Sequence, residues 1–169
     1  MRALPNLLTL SRLLVAPYLF VLLWHGRFHA ALVVMFLAGL TDAFDGYLAR
    51  RMKVSTRVGE VLDPIADKVL LSGSFAALWL NGAIAGWLTA IVFGRDLLIL
   101  AGAGLALLFS KLPRRFPPSI WGKMSTIVQI SLVVIVTGGI DPLLSLAKWM
   151  TAALAVISFI DYTWRYTRR

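Results

Sequence analysis

Long apolar runs alternate with short polar or charged segments along the whole chain. Each run has about the 20 residues that an α-helix needs to cross the hydrocarbon core of a bilayer. The runs predict helices over residues 8–24, 29–48, 61–80, 84–109, 121–138 and 143–162. The predicted fold class is therefore all-α, an integral membrane bundle of six transmembrane helices, formed by a single membrane domain over residues 1–169.

Two prolines affect the start and the straightness of the first predicted helix. Pro5 with Asn6 predicts a turn or a short interfacial segment before it, and Pro17 is expected to kink it. Arg2 ahead of an apolar run is also typical of a signal peptide. The run is too long and has no clear small-residue cleavage site, so we expect the first helix to be retained.

Composition supports a membrane protein. Hydrophobic residues make up 59% of the chain and charged residues 15%, and the mean hydropathy is +0.81, outside the range of soluble globular domains. The net charge of +9 could indicate nucleic acid, but the basic residues lie between apolar runs. The lipid bilayer is therefore the expected partner, and nucleic acid is not. The absence of cysteine excludes disulfides and thiolate metal sites.

The basic residues indicate an orientation. They concentrate at both termini and after the second and fourth predicted helices, at Arg2, Arg12, Arg50, Arg51, Lys53, Arg57, Lys111, Arg114, Arg115, Arg165, Arg168 and Arg169. The positive-inside rule therefore places both termini and these two loops in the cytoplasm, which for a bacterium means a protein of the inner membrane. Trp24, Trp87, Trp121 and Trp164 are expected to anchor helix ends at the membrane interface.

Four of the eight acidic residues, Asp42, Asp45, Asp63 and Asp67, fall within 26 positions. They lie at the predicted cytoplasmic ends of the second and third helices, and their spacings of three and four put each pair on one helix face. Close carboxylates at membrane depth repel one another unless protons or cations neutralise them. Oxygen ligands favour Mg²⁺, Mn²⁺ or Ca²⁺ over Zn²⁺, and Mg²⁺ usually binds carboxylates together with substrate phosphates. The cluster therefore predicts a metal site for a phosphate-bearing substrate.

The residues between the aspartates fit such a site. Gly46 and Gly59 allow close backbone approach, Ala49 keeps the same helix face open, and Arg50 supplies a cation for an oxyanion. The full string reads Asp42-x2-Asp45-Gly46-x2-Ala49-Arg50-x8-Gly59-x3-Asp63-x3-Asp67. Eight fixed positions in 26 residues are a specific signal, whereas a single pair of aspartates would be a weak one.

This string resembles the signature of the CDP-alcohol phosphotransferases, also called CDP-alcohol phosphatidyltransferases, at every defined position. The resemblance extends to residues 5–12, 62–68, 94–96 and 122–126, and so over most of the chain. It implies a six-helix membrane fold, usually homodimeric. A cytoplasm-facing cavity would hold two divalent metal ions, Mg²⁺ or Mn²⁺, and the CDP moiety of a CDP-diacylglycerol donor.

The resemblance also assigns roles to matching positions. Asp42, Asp45 and Asp63 would be the principal metal ligands, and Asp67 the last ligand and the general base. The residues assigned to the cytidine and pyrophosphate site are Gly46, Ala49, Arg50 and Gly59. The implied function is a transferase of phospholipid biosynthesis that moves a phosphatidyl group from CDP-diacylglycerol to a hydroxyl acceptor and releases CMP.

The acceptor is predicted from the branch of the family. The chain resembles cardiolipin synthases and phosphatidylglycerophosphate synthases most, through residues 4–12, 62–68 and Gly122-Lys123. The latter enzymes usually carry Arg-Glu and then Leu-Arg in the fourth helix, whereas this chain has Arg95-Asp96 and no cation over residues 97–110. Dianionic glycerol 3-phosphate should require more than one fixed cation. We therefore expect a CMP-forming cardiolipin synthase that uses phosphatidylglycerol, with a phosphatidylglycerophosphate synthase as the alternative.

Arg95 and Lys123 are the candidates for contacting the phosphate of the acceptor. Plainer interpretations exist for both, because Arg95-Asp96 could be an internal ion pair at a helix end and Lys123 a snorkelling lysine. Asp63-Pro64 could likewise be a helix N-cap followed by proline. Asp141 and Asp161 are expected at helix ends.

Other classes of function fit less well. An ion transporter would need polar groups across the whole membrane, whereas the aspartates cluster at one side. An intramembrane prenyltransferase shares aspartates and a pyrophosphate donor, but would need a larger bundle and a different aspartate spacing. An inactive scaffold would have no need of four intact aspartates.

Overall fold

A computed structural model describes the backbone of residues 4–52, 57–108 and 119–167, and the side chains of residues 14–41, 66–99, 101 and 119–164. Within the described ranges the protein is all-helical, with six α-helices and no strand, as predicted. The helices are α1 (Leu4–Trp24), α2 (Phe28–Met52), α3 (Arg57–Leu80), α4 (Gly86–Leu108), α5 (Ile120–Thr137) and α6 (Asp141–Thr167). The number and order of the predicted helices are therefore confirmed.

One expectation and one alternative interpretation about helix starts are overturned. Helix α1 already includes Pro5 and Asn6, so no turn precedes it within the described residues. Proline is tolerated there because the first N–H groups of a helix have no intrahelical partner. Helix α3 begins at Arg57, six residues before Asp63, so the alternative interpretation of Asp63-Pro64 as an N-cap followed by proline is excluded. Helix α1 also continues through Pro17 as one element.

The chain divides into two compact units, Met1–Ala83 and Ile84–Arg169. In the first unit, α1 packs against both α2 and α3. Leu23 of α1 and Phe75 and Leu78 of α3 are fully buried in this unit. The Asn81 side-chain amide donates a hydrogen bond of 2.9 Å to the carbonyl oxygen of Trp24, which ties together the ends of α1 and α3.

In the second unit, α6 packs against both α4 and α5. Its apolar core includes Leu88 and Val92 of α4, Leu132 and Val133 of α5, and Ala155 of α6, all fully buried. The same unit buries several polar side chains, namely Thr89, Arg95, Asp96, Ser119, Ser125, Gln129, Thr137, Thr151 and Ser158. This concentration of buried polarity makes α4 to α6 a candidate place for chemistry.

Helices α1, α3 and α5 end in the same hydrogen-bonded turn. In each, a glycine N–H donates to the carbonyl three residues back, and the next N–H donates to the carbonyl five back, which is a Schellman motif. The longer bonds run from Arg27 to Leu22, Ala83 to Leu78 and Ile140 to Ile135. The glycines are Gly26, Gly82 and Gly139, with φ of +69°, +84° and +65°. Glycine adopts this left-handed conformation without the steric cost of a side chain, so the helix can stop within a short turn.

In the described part of the chain, two helices, Ile120–Thr137 and Asp141–Trp164, are long and apolar enough to cross a membrane by length and composition. Shorter apolar stretches among the described residues are Leu14–Trp24 and Phe28–Thr41. The exposed surface includes large apolar side chains, such as Phe36 at 70% and Leu97 at 69% exposure. Extended apolar surface of this kind marks contact with lipid or protein. The six-span bundle itself remains a prediction.

Candidate functional site

The predicted metal ligands lie on two helices of the first unit. The backbone of α2 is helical through Asp42 and Asp45, and that of α3 through Asp63 and Asp67. Spacings of three and four residues therefore place each pair on one helix face. The side chains of Asp42, Asp45 and Asp63 lie outside the described residues. Among the side chains that are described, no group of three or more histidines and carboxylates could hold a metal ion, so the shared metal site stays a prediction.

The predicted nucleotide-site residues also fall on α2 and α3. Gly46, Ala49 and Arg50 belong to α2, and Gly59 belongs to the first turn of α3. Their side-chain positions lie outside the described residues, so the predicted cytidine and pyrophosphate site stays a prediction as well.

Asp67 is the predicted ligand whose side chain is described. It is exposed on α3, next to the buried Ala66. Ala66 contributes to the packing of the first unit, and the neighbouring carboxylate is turned towards the surface. An exposed carboxylate on a packed helix can be approached by a substrate, as a general base requires.

Arg95 is the centre of the buried polar cluster in the second unit. Its side chain is only 6% exposed and lies in the interior of α4, not at a helix end. Nη1 lies 2.5 Å from Oδ1 of Asp96, so the internal ion pair given above as the plainer alternative is present, whereas the contact with an acceptor phosphate stays a prediction. Burial of an unpaired guanidinium would cost several kcal/mol, and the adjacent carboxylate compensates part of this cost.

Two further helices contact the same guanidinium. Nη2 donates a hydrogen bond of 2.8 Å to the Ser158 hydroxyl of α6. The same nitrogen lies 3.5 Å from the carbonyl oxygen of Gly122 on α5. The Nε–H group is buried and has no hydrogen-bond partner among the described residues. Arg95 therefore joins α4 to α5 and α6 while one of its donors stays unsatisfied.

Gly122 allows these helices to approach closely. A Cβ atom at this position would lie 3.1 Å from Tyr162 Oη, 3.2 Å from Tyr162 Cε2 and 3.4 Å from Arg95 Nη2. A methyl group there would force the tyrosine ring or the guanidinium to move. The glycine of the Gly122-Lys123 pair thus has a packing role between α5 and α6.

The start of α5 is tied to α6 by a second polar contact. Ser119 is the N-cap residue of α5, yet its hydroxyl makes no capping bond and donates to Oδ2 of Asp161 instead. Asp161 lies six residues before the end of α6, so the prediction that it ends a helix is wrong, whereas Asp141 does begin α6 as predicted. Ser158 and Asp161 are therefore two polar residues of α6 that form hydrogen bonds with neighbouring helices, Ser158 with Arg95 of α4 and Asp161 with Ser119 at the start of α5.

Lys123, the other candidate for the acceptor phosphate, is exposed on α5. Its backbone follows directly after Gly122, so the two acceptor candidates Arg95 and Lys123 belong to the same unit. The structure brings Arg95 together with Gly122, and leaves the role of Lys123 as a prediction.

Sequence reasoning missed Ser158, the partner of Arg95 on α6. Ser158 and Tyr162, which lies next to Gly122, are four residues apart and therefore share a helix face. The sequence feature that could have predicted this contact is the presence of two polar residues, Ser158 and Asp161, in a largely apolar part of the final helix. Polar side chains in apolar helices usually face the interior of a bundle, which would have directed attention to this face.

Comparison with known proteins identifies the class. The sequence profile of the CDP-alcohol phosphatidyltransferase family matches residues 2–160. The match covers most of the chain and includes the aspartate signature, so the chain belongs to the CDP-alcohol phosphatidyltransferase family. The resemblance predicted from the signature is thereby confirmed, and so is the assignment of the chain as an enzyme of this kind.

Individual relatives include two kinds of phosphatidyltransferase. The CDP-diacylglycerol-glycerol-3-phosphate 3-phosphatidyltransferase of Aquifex aeolicus is 31% identical over 94% of this chain and 93% of its own. The probable phosphatidylglycerophosphate synthase of Mycobacterium tuberculosis is 37% identical over 98% of this chain and 82% of its own. The cardiolipin synthase (CMP-forming) of Homo sapiens is 34% identical over 76% of this chain. This chain aligns with 48% of that human protein, or about half its length.

Proposed function

We propose that this phosphatidyltransferase is a CMP-forming cardiolipin synthase, which transfers the phosphatidyl group of CDP-diacylglycerol to phosphatidylglycerol. Family membership supports the transferase chemistry. Relatives named as cardiolipin synthases support the lipid acceptor. The observation that carries the choice of acceptor is the charge balance around Arg95.

Arg95 is paired with Asp96 at 2.5 Å, and both side chains are buried. The pair has no net charge, so its attraction for a dianion is much weaker than that of a lone arginine. Glycerol 3-phosphate carries a phosphate monoester with close to two negative charges, whereas the phosphodiester of phosphatidylglycerol carries one. A guanidinium whose charge is already balanced suits the monoanionic phosphodiester better.

The donor set proposed for the metal is Asp42, Asp45, Asp63 and Asp67, which are all carboxylates on helical backbone. Such oxygen-only ligands suit Mg²⁺ or Mn²⁺, and bound divalent ions would neutralise the charge of the cluster. When bound, the ions would supply positive charge that stabilises the CMP leaving group. Gly46, Ala49, Arg50 and Gly59 are proposed to hold the CDP moiety beside them.

In the proposed reaction Asp67 accepts the proton of the acceptor hydroxyl. The hydroxyl oxygen forms a new bond to the phosphorus that carries diacylglycerol. The bond from that phosphorus to the bridging oxygen breaks, and CMP leaves with the bridging oxygen and its electron pair. Arg95 and Lys123 are proposed to bind the phosphate of the acceptor, which orients its hydroxyl group.

We further propose that the protein is a homodimer, that each chain has six transmembrane helices, and that the active site and both termini lie in the cytoplasm. Two long apolar helices and the exposed apolar side chains support the membrane location. The donor and acceptor lipids can then keep their acyl chains in the bilayer while their headgroups reach the site.

Glycerol 3-phosphate is the second candidate acceptor. It is favoured by the Aquifex aeolicus and Mycobacterium tuberculosis relatives, which match over nine tenths of this chain and are named as glycerol-3-phosphate 3-phosphatidyltransferase and probable phosphatidylglycerophosphate synthase. The product of that reaction would be phosphatidylglycerophosphate instead of cardiolipin.

An assay of the purified protein separates the two candidates. The protein is incubated with CDP-diacylglycerol, Mg²⁺ and either phosphatidylglycerol or glycerol 3-phosphate, and the lipid products and CMP are measured. We expect cardiolipin and CMP with phosphatidylglycerol, no more than a trace of product with glycerol 3-phosphate, and no turnover in excess chelator until Mg²⁺ or Mn²⁺ is restored.

The outcomes bear on different parts of the proposal. Phosphatidylglycerophosphate as the sole product would overturn the acceptor and establish the second candidate. Full activity in excess chelator would contradict the metal site. A reaction without acceptor serves as the control for simple hydrolysis of the donor.

A further inference from the structure

The buried Arg95 is held by contacts that its own helix does not supply. Asp96 follows it in the chain and balances its charge, and groups on α5 and α6 also contact the guanidinium. The Ser158 hydroxyl on α6 is fully buried and accepts a hydrogen bond of 2.8 Å from Nη2. This contact joins residues 63 positions apart and gives the guanidinium a fixed direction.

Gly122 provides the second contact to Nη2 of Arg95. Its carbonyl oxygen lies 3.5 Å from Nη2, and its lack of a side chain leaves room for Arg95 and Tyr162 together. Both terminal nitrogens of Arg95 are therefore engaged by protein groups, Nη1 by Asp96 and Nη2 by Ser158 and Gly122.

One nitrogen of the guanidinium remains without a partner among the described residues. The Nε–H of Arg95 is buried and finds no acceptor in the described part of the chain. A buried unsatisfied donor normally costs about 1–3 kcal/mol, and more when it belongs to a charged group. A guanidinium that is held firmly by its terminal nitrogens while its Nε–H lacks an acceptor is suited to receive an anionic oxygen from a ligand.

We infer that Ser158 is a positioning residue for the acceptor, because it holds the Arg95 guanidinium so that the unsatisfied Nε–H can donate to a phosphate oxygen. The chemical class of the ligand is a phosphate mono- or diester, which glycerol 3-phosphate and phosphatidylglycerol share. The inference rests on the proposed function in that Arg95 binds the acceptor. It adds a residue of α6 to a site predicted from α4 and α5.

Steady-state kinetics of Ser158→Ala test this role. With CDP-diacylglycerol saturating and the acceptor varied, loss of one hydrogen bond to the charged guanidinium should raise the acceptor KM about three- to tenfold. With the acceptor saturating, the donor KM should stay within twofold of the wild type. The experiment is done with phosphatidylglycerol and with glycerol 3-phosphate. The acceptor whose KM rises in Ser158→Ala is the one whose phosphate group binds Arg95.

Two further variants separate positioning from general damage. Ser158→Thr keeps a hydroxyl and should restore the acceptor KM to within about threefold of the wild type. Ser145→Ala removes an exposed hydroxyl from the same helix and should leave both KM values unchanged. Size-exclusion chromatography in detergent checks that each variant is folded, and Ser158→Thr keeps the test decisive if Ser158→Ala does not fold.

A binding measurement distinguishes failure of this inference from failure of the proposed reaction. Glycerol 3-phosphate, and phosphatidylglycerol in mixed micelles, are titrated while the apparent unfolding temperature is followed. If the wild type releases no CMP but shows a phosphate-dependent rise that Ser158→Ala weakens, the reaction is wrong and the inference stands. Equal changes in both KM values, an unchanged acceptor KM in Ser158→Ala, or no response of the wild type to either phosphate would overturn the inference.

Discussion

At the scale of single residues, Arg95 and Asp67 show two different environments for charge. Arg95 is buried and its charge is balanced by Asp96, since an isolated charge in an apolar helix bundle would be too costly. Asp67 is exposed on α3, where a substrate can approach its carboxylate. A buried pair is suited to orient a ligand, whereas an exposed carboxylate can accept a proton and release it to water.

Asp67→Asn should abolish catalysis without unfolding the protein. An amide cannot accept the hydroxyl proton, and loss of a general base reduces the rate about 10²- to 10⁴-fold. The measurement is CMP release from CDP-diacylglycerol at saturating acceptor. Asp141→Asn, which changes an exposed aspartate at the start of α6, is the matched control and should retain activity. Turnover of Asp67→Asn within threefold of the wild type would remove Asp67 from the role of base.

At the scale of helices and turns, the ends of the elements follow local chemistry closely. Gly26, Gly82 and Gly139 each end a helix in a Schellman motif, and helices commonly end at glycine for this reason. The helix starts are less predictable. Pro5 and Pro64 both lie within helices although proline suggested a boundary. Pro5 lies in the first turn of α1, where a missing N–H costs no backbone hydrogen bond.

Gly82→Ala should destabilise the protein by about 1 kcal/mol, because alanine disfavours the left-handed conformation at φ +84°. A Cβ atom at Gly82 meets nothing within 4 Å, so the cost is conformational and not steric. The apparent unfolding temperature in detergent should fall by about 2–4 °C.

Gly39→Ala is the control for Gly82→Ala. Its Cβ also meets nothing within 4 Å, but Gly39 lies inside α2 with ordinary helical backbone. Alanine is favoured over glycine there by up to about 1 kcal/mol, so the unfolding temperature should stay equal or rise. A Gly82→Ala protein as stable as Gly39→Ala would contradict the strained turn.

At the scale of the whole molecule, the distribution of charge predicts how the chain crosses the membrane. The basic termini and the basic segments between α2 and α3 and between α4 and α5 are expected in the cytoplasm. The turns after α1, α3 and α5 would then lie on the opposite side. The structure supplies the helices and their packing within each unit, and the orientation is a separate prediction.

Single cysteines test this orientation, because the natural chain has none. Ala85→Cys changes an exposed residue between α3 and α4, and Ser110→Cys lies in the segment between α4 and α5. In spheroplasts, a membrane-impermeant maleimide should label Ala85→Cys at once and Ser110→Cys only after permeabilisation. The unmodified protein provides the background. The reverse order of labelling would invert the predicted topology and put the aspartate signature on the outer side.

The sequence by itself determined the helices and the family. Helix number follows from the length of apolar runs, and the signature follows from the spacing of Asp42, Asp45, Asp63 and Asp67, which are all properties of one stretch of chain. The match of the family profile to residues 2–160 confirmed the membership that these spacings predicted. The pairing of Arg95 with Asp96 was also accessible, since the two residues are adjacent.

Only the tertiary structure decided what surrounds Arg95. Ser158 and Gly122 lie 63 and 27 residues further along the chain, and no periodicity in the sequence relates them to Arg95. Their meeting depends on how α4, α5 and α6 pack, which is set by the summed fit of many side chains and by the space that Gly122 leaves for Tyr162. Contacts of that kind exist only in the folded bundle, because short-range spacing specifies a helix face but not the helix that it meets.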